Sequence, residues 1–120
     1  MKIVILSDTH GLLRPEVIEQ IHAADAIIHG GDINRQDVVD TLRTYAPLYV
    51  VRGNNDRAWA EAIPHDLRFE LGGLRFYLIH NKREMPKALT DVDVIVFGHT
   101  HKYLHEKKAG VLWLNPGCCG

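Results

Sequence analysis

Histidine and aspartate side chains recur in this sequence directly after short apolar segments. His99 and His101 stand one residue apart at the end of "VIVFGHTH", after four apolar residues and a glycine. Asp8 and His10 follow "KIVIL" in the same way, and Asp32 follows "AIIHGG". Imidazole nitrogens and carboxylate oxygens together form a ligand set that suits Mn, Fe, Zn, Co or Ni. The pattern therefore predicts a metal site.

Two more side chains of metal-binding type follow apolar segments. Asn54 comes after "LYVV", and His80 comes directly after "FYLI". Each position alone is weak, because a single histidine at the end of a strand is more often a hydrogen-bonded structural group. The repeated placement after a predicted strand makes coincidence improbable. The candidate metal ligands are Asp8, His10, Asp32, Asn54, His80, His99 and His101.

The first half of the chain alternates apolar and amphipathic segments. "KIVIL", "AIIHGGD" and "LYVVRGNND" are typical of strands, of which "KIVIL" has the continuous apolar character of a strand buried on both faces. Pro15 and the spacing of the apolar residues after it predict a helix over residues 15–23, and "RQDVVDTLRTY" predicts a second helix. This β-α-β-α-β order predicts a parallel sheet. Ligands of open α/β sheets bind at the carboxyl ends of the strands, so residues distant in sequence can meet there.

The second half predicts antiparallel pairing. "LRFELGGLRFYLIH" indicates a hairpin that turns at Gly72 and Gly73, and "YLHEKKAGVLWLN" indicates another that turns at Gly110. A short helix is expected near residues 84–89, before the buried strand "VDVIVF". We expect mixed sheets flanked by helices in a single domain, residues 1–120.

Composition limits the classes of function. The chain has 120 residues, of which 46% are hydrophobic, which is enough for one core. A net charge of -1 without a basic run gives no reason to expect a stable nucleic acid partner or binding to an anionic membrane. The chain has no apolar run of about 18 residues and no signal-peptide pattern, so we expect a cytoplasmic protein. Cys118 and Cys119 are adjacent and cannot form a disulfide framework.

Six short motifs together carry a resemblance to a known family. In order they are "SDTHG", "HGGD", "RGNND", "LIH", "FGHTH" and "NPG", and they extend from the first strand to residue 117. They resemble the successive signatures of the calcineurin-like metallophosphoesterase superfamily, and the short chain is similar to the small YfcE-type phosphodiesterases. The resemblance implies a four-layer α/β/β/α sandwich of mixed sheets with a two-metal site at the strand ends.

The resemblance also implies a role for each candidate ligand. Asp8, His10 and His101 would hold one metal ion, and Asn54, His80 and His99 would hold the other. Asp32 would bridge both. Manganese is the metal we expect first, with Ni, Co, Fe, Zn or Mg as alternatives. The implied reaction is hydrolysis of a small phosphate ester by a hydroxide that bridges the two ions. Two divalent ions, the carboxylates of Asp8 and Asp32 and this hydroxide together leave the centre with a net charge of about +1.

One position departs from the commonest pattern of the superfamily. Many members have a histidine after the ligand asparagine, where it helps to protonate the leaving group, but this chain has Asn55. An amide donates only a neutral hydrogen bond. We expect activity to fall steeply as the leaving group becomes more basic, with Asp56 as a residue that orients Asn55 or a water. His65 is assigned no function, and His29 is a candidate support for Asp32.

Two alternatives stay open from the sequence. The chain ends soon after "NPG", where relatives usually continue, so we expect a shortened second sheet whose exposed edge favours pairing. This leaves monomer and homo-oligomer as equal alternatives. A retromer subunit that resembles this fold acts chiefly as a binding platform, so a catalytically weak scaffold is the alternative to an enzyme. The intact set of candidate ligands favours the enzyme.

Overall fold

The computed structural model describes residues 1–117. Its strands form two sheets, one of three strands and one of five. The adjacent cysteines at 118 and 119 lie outside the described residues. No helix within residues 1–117 has both the length and the apolar character needed to cross a membrane.

The first sheet is parallel and comes from the first half of the chain. Its strands are β1 (Ile3–Leu6), β2 (Ala26–His29) and β3 (Leu48–Val50), in the order β1-β2-β3. The connecting helices are α1 (Pro15–Ile21) and α2 (Gln36–Tyr45), so the predicted β-α-β-α-β order is confirmed. Pro15 opens α1 because a first-turn residue needs no amide donor. The helix ends two residues before the predicted boundary.

The second sheet is mixed. Its strands are β4 (Asp66–Leu71), β5 (Leu74–Ile79), β6 (Val94–Val96), β7 (Leu104–Lys108) and β8 (Val111–Asn115). The order is β4-β5-β6-β8-β7, with antiparallel pairs at both edges and parallel pairs on either side of β6. Both predicted hairpins are confirmed. The second sheet was expected to be shortened, but of the two sheets it is the first that has fewer strands, three against five.

The two sheets pack face to face. Ile28 from the first sheet contacts a cluster that includes Phe76, Leu78 and Val96 of the second. The opposite face of the first sheet packs against α1 and α2. Ile21 of α1 and Val38, Val39 and Leu42 of α2 are buried there. The result is a mixed α/β fold of two packed sheets with its α-helices over the first sheet, and it brings the ends of β1, β2, β3, β5 and β6 together.

The helix expected near residues 84–89 does not form. A 3-10 turn, Lys82–Glu84, stands instead, and Met85 continues in extended conformation with φ -68° and ψ 142°. Pro86 gives the reason, because a proline disfavours the helical conformation of the residue before it. Met85, Leu89 and Val92 nonetheless pack against the outer face of the second sheet. A further 3-10 turn, Ala58–Ala60, was not predicted.

Candidate metal centre

The loops that carry the candidate ligands are hydrogen-bonded to one another. The amide of Asp8 donates to the carbonyl of Gly31 at 2.9 Å, and the amide of His10 donates to the carbonyl of Asp32 at 3.0 Å. These bonds join the loops after β1 and β2. The amide of His99, after β6, donates to Oδ2 of Asp8 at 3.2 Å and so links the second sheet to the first.

Five candidate ligands have a left-handed backbone. Non-glycine residues seldom adopt this conformation, and when they do the strain often marks a functional site. The φ angles lie between 51° and 71°, and each belongs to a residue in a loop after β1, β2 or β6. The five residues are Asp8, His10, Asp32, His99 and His101.

One group of ligand atoms forms a compact cluster. Asp8, His10, Asp32 and His101 each offer an atom within 4.8 Å of the others. Nε2 of His101 lies 3.2 Å from Oδ1 of Asp8, and the rings of His10 and His101 are 5.3 Å apart. Nε2 of His10 is buried and has no hydrogen-bond partner within residues 1–117. A buried polar atom without a partner is costly, so this nitrogen suits a ligand.

A second group lies around His80. Its Nδ1 is 2.7 Å from the carbonyl of Gly30, so this nitrogen carries a proton and donates it. In the neutral ring, Nε2 then presents a lone pair 3.0 Å from Oδ1 of Asn54 and 3.4 Å from Oδ2 of Asp32. The ring of His99 lies 5.2 Å from that of His80. Three acceptor atoms that converge in this way favour a cation between them.

The donor atoms of both groups are therefore suitable ligands for divalent metal ions. Asp32 belongs to both groups. His99 faces His80 while His101 faces His10, so the two imidazoles on either side of Thr100 diverge towards different groups. Nitrogen and oxygen donors without thiolate match the preferences of the first-row metals named above.

Without a metal ion, a proton on Nε2 of His80 can be donated to Oδ2 of Asp32. Burial disfavours the charged form of Asp32, but hydrogen bonds from His80 and from the amide of Asn55 outweigh it and lower its pKa to about 2. For His80, burial is likewise outweighed by the contact with Asp32 and by the bond to Gly30, so its pKa is raised. A metal ion would replace this proton.

Glycines make room for the carboxylates. A Cβ atom on Gly98 would collide with the hydroxyl of Ser7 and lie 2.7 Å from Oδ2 of Asp8. That hydroxyl donates to the same carboxylate oxygen at 2.6 Å. A Cβ atom on Gly53 would collide with the side chain of Asp32. The glycines in "RGNND" and "FGHTH" thus permit the close approach of one loop to the next.

His29 supports the centre through neighbouring residues rather than through the Asp32 carboxylate. Its Nδ1 accepts the amide of Gly31 at 3.0 Å, and its Nε2 lies 3.0 Å from Oγ1 of Thr9. Complete burial, followed by the charge of His80, lowers its pKa to about 3 despite the opposing effect of Asp32. A neutral His29 therefore ties the loops after β1 and β2 together.

The two residues predicted to be catalytic bind other parts of the loops. Asn55 donates to Asp32 twice, from its amide at 2.9 Å and from Nδ2 at 3.1 Å. The buried Asp56 carboxylate accepts the amides of Ile33, Asn34 and Gly53 at 2.7 to 3.1 Å. Asp56 thus fastens the loop after β3 to the loop after β2, and its expected role in orienting Asn55 or a water stays a prediction.

Asn115 has a structural role that was not predicted from the sequence. Nδ2 of this buried residue donates to the carbonyl of Gly98 at 3.2 Å and to Oγ1 of Thr100 at 3.0 Å. Its Oδ1 accepts the amide of Gly117 at 2.9 Å. Asn115 therefore holds the loop that carries His99 and His101. The "NPG" motif was the available signal, but it did not say what the asparagine contacts.

Comparisons with known proteins agree with this geometry. Residues 1–120 match the calcineurin-like phosphoesterase superfamily domain. A phosphodiesterase of Methanocaldococcus jannaschii is 31% identical over 143 residues, covering 100% of this chain and 86% of the relative. The solved structure of Yfce, a phosphoesterase from E. coli, has a TM-score of 0.74 at 25% identity and covers 99% of this chain and 80% of that one.

A further solved structure, that of a protein named Vps29, has the same fold. Vps29 of Entamoeba histolytica, complexed with zinc, has a TM-score of 0.79 and covers 98% of this chain and 74% of that one. At 24% identity, this likeness concerns the fold alone.

Proposed function

The chain belongs to the calcineurin-like phosphoesterase superfamily, and on that basis we propose that it is a two-metal-dependent phosphodiesterase that hydrolyses a small phosphate ester. The observation that carries the proposal is the position of Asp32. Its carboxylate belongs to the cluster with Asp8 and His101, and it also lies 3.4 Å from Nε2 of His80. One carboxylate between two groups of donors is the arrangement that a dinuclear site requires.

In this proposal the residues divide into two sets. Asp8, His10 and His101 hold one ion, Asn54, His80 and His99 hold the other, and Asp32 holds both. Bound there, the ions would supply positive charge to the phosphate oxygens and make a water acidic enough to attack phosphorus near neutral pH. Manganese is the expected metal, with Ni, Co, Fe, Zn or Mg as alternatives.

The chain's own residues set the orientation of these donors. The carbonyl of Gly30 fixes the ring of His80 with Nε2 towards Asp32, and Asn55 holds both oxygens of Asp32. The hydroxyl of Ser7 and the amide of His99 hold Oδ2 of Asp8. Such partners keep ligand side chains in a productive orientation.

A metal reloading screen tests the proposed function. The protein is stripped of metal, reloaded in turn with Mn, Ni, Co, Zn and Mg, and assayed against a panel of phosphate mono- and diesters. We expect hydrolysis that depends on added metal, with diesters preferred, because a single negative charge matches a centre of about +1 better than two. His105→Ala, at an exposed position in β7, is the matched control for loss of a histidine.

The second candidate is a scaffold of the same fold, the alternative that the sequence left open. A scaffold would keep its fold and its bound metal without hydrolysing any ester of the panel. Hydrolysis that is lost in His80→Ala and retained in His105→Ala would exclude it.

A further inference from the structure

A cavity of about 270 Å³ opens beside the second group of donors. Asn54 and His80 form one part of its wall, and Arg52, His65 and Glu84 form another. A substrate held at the proposed centre has room to extend into this cavity. The side chains of Arg52, His65 and Glu84 are therefore placed to contact the group that is esterified to the phosphate.

His65 and Glu84 contact each other in that wall. Nε2 of His65 lies 2.6 Å from Oε1 of Glu84, and both side chains are partly open to solvent. Because a carboxylate oxygen accepts, Nε2 carries the proton of this bond. Nδ1 has no hydrogen-bond partner within residues 1–117, so it is the nitrogen available to a bound molecule. Glu84 thus fixes the ring and leaves one nitrogen for chemistry.

The other charged group of the cavity wall is directed elsewhere. Nη1 of Arg52 donates to the carbonyl of Ile63 at 2.5 Å. The amide of Asn55, where relatives often have a histidine, is committed to Asp32. Of the two imidazoles in the cavity wall, His80 has both ring nitrogens in contact with other residues, so His65 is the one with a nitrogen not bound within residues 1–117.

We propose that His65 is the proton donor to the leaving group and that Glu84 is its positioning residue. The inference rests on the proposed phosphodiesterase function. As water forms a bond to phosphorus and gives up a proton to solvent, the bond between phosphorus and the leaving oxygen breaks, and that oxygen keeps the electron pair. Nδ1–H of the His65 imidazolium transfers its proton to this oxygen, which leaves as an alcohol. The neutral imidazole then regains a proton from solvent.

This assignment changes the expectation drawn from Asn55. With a donor in place, hydrolysis of esters with basic leaving groups is no longer disfavoured as steeply. Nitrophenol needs little help because it leaves readily as an anion, whereas an alcohol or an unsubstituted phenol needs a proton. Removal of His65 should therefore affect the two kinds of substrate differently.

The test uses the manganese-loaded full chain and a series of methyl aryl phosphates, from p-nitrophenol to phenol as leaving group. His65→Ala should lower kcat/KM for the phenol ester about 100-fold and leave that for the nitrophenol ester within about threefold, because general-acid help is worth 10²- to 10⁴-fold. The dependence of rate on leaving-group pKa should steepen accordingly. Glu84→Ala should show the same selectivity in weaker form, and Glu84→Gln, which keeps an acceptor oxygen, should restore most of the loss.

His105→Ala is the control, since this exposed histidine lies in β7 and outside the cavity. Equal losses on both esters in His65→Ala, or no loss on either, would overturn the assignment of His65 and leave the phosphodiesterase function standing. Absence of hydrolysis of the nitrophenol ester by the wild-type protein would instead contradict the proposed function, and with it this inference.

Discussion

Nε2 of His80 lies 3.4 Å from Oδ2 of Asp32, although the two residues follow strands of different sheets. His80 directly follows β5 of the second sheet, and Asp32 lies in the loop after β2 of the first. The face-to-face packing of the sheets is therefore what creates the site. A change that separates the sheets should remove the candidate metal centre together with the fold.

The His80–Asp32 pair should make the stability of the metal-free protein depend on pH. The pKa of His80 is raised above 6.5, so its contribution is complete below 6.5 and is lost as pH rises through the raised value. The pKa of Asp32 is lowered from 3.8 to about 2, so its contribution is present above 3.8 and is lost as pH falls through about 2. Between 3.8 and 6.5 both contributions are present.

The measurement is Tm in the presence of a chelator from about pH 6 to about pH 9, a range that spans ordinary histidine titration. We expect Tm to fall with rising pH, and to fall less in Asp32→Asn, which lacks the charge. Parallel curves for the two proteins would show that this pair does not contribute.

Loss of Asp32 should have a larger effect on metal content than loss of His101. Asp32→Ala removes the side chain assigned to both ions, so we expect neither to be retained after reloading. His101→Ala removes a ligand of one ion only, and we expect about one ion per chain to remain. Elemental analysis of the dialysed proteins gives the counts. Equal losses from both variants, with the fold intact by circular dichroism, would contradict the shared role of Asp32.

Gly98→Ala should destabilise the loop after β6. The new methyl group would meet the Ser7 hydroxyl and the Asp8 carboxylate, and such overpacking typically costs about 1 to 3 kcal/mol. Ser7→Ala removes one of the two obstacles, so the double variant should recover part of the loss. Urea unfolding measures both effects. If Gly98→Ala were as stable as the wild type, the close approach would not constrain the loop.

Asp56 should contribute to stability rather than to the chemical step. Asp56→Ala leaves the buried amides of Ile33 and Gly53 without their acceptor, which we expect to cost about 3 kcal/mol. Asp40→Ala, at an exposed position in α2, is the control and should cost much less. Urea unfolding gives the comparison. A fall in kcat without loss of stability in Asp56→Ala would restore the catalytic role first predicted for this residue.

Periodicity and strand-end placement predicted most of the fold. The parallel half, both hairpins and the mixed α/β fold with two sheets are confirmed, because apolar runs and glycine turns are local signals. The prediction of a helix near residues 84–89 was wrong because Pro86 disfavours the helical conformation of Met85, the residue before it. The family resemblance is also confirmed.

Contacts between loops explain what the sequence did not predict. The side chain of Asp56 binds amides 22 and 23 residues earlier in the chain, and Asn115 holds a loop that starts 17 residues before it. His65 and Glu84 meet across 19 residues. Side-chain contacts at such separations depend on how loops fold over one another, which periodicity does not encode.

Anomalous diffraction at the manganese edge, from crystals of the reloaded protein, would show the number and the positions of the bound ions. We expect two peaks per chain, one among Asp8, His10 and His101 and one among Asn54, His80 and His99, with the Asp32 carboxylate between them. A single peak, or two peaks that do not share Asp32, would contradict this expectation.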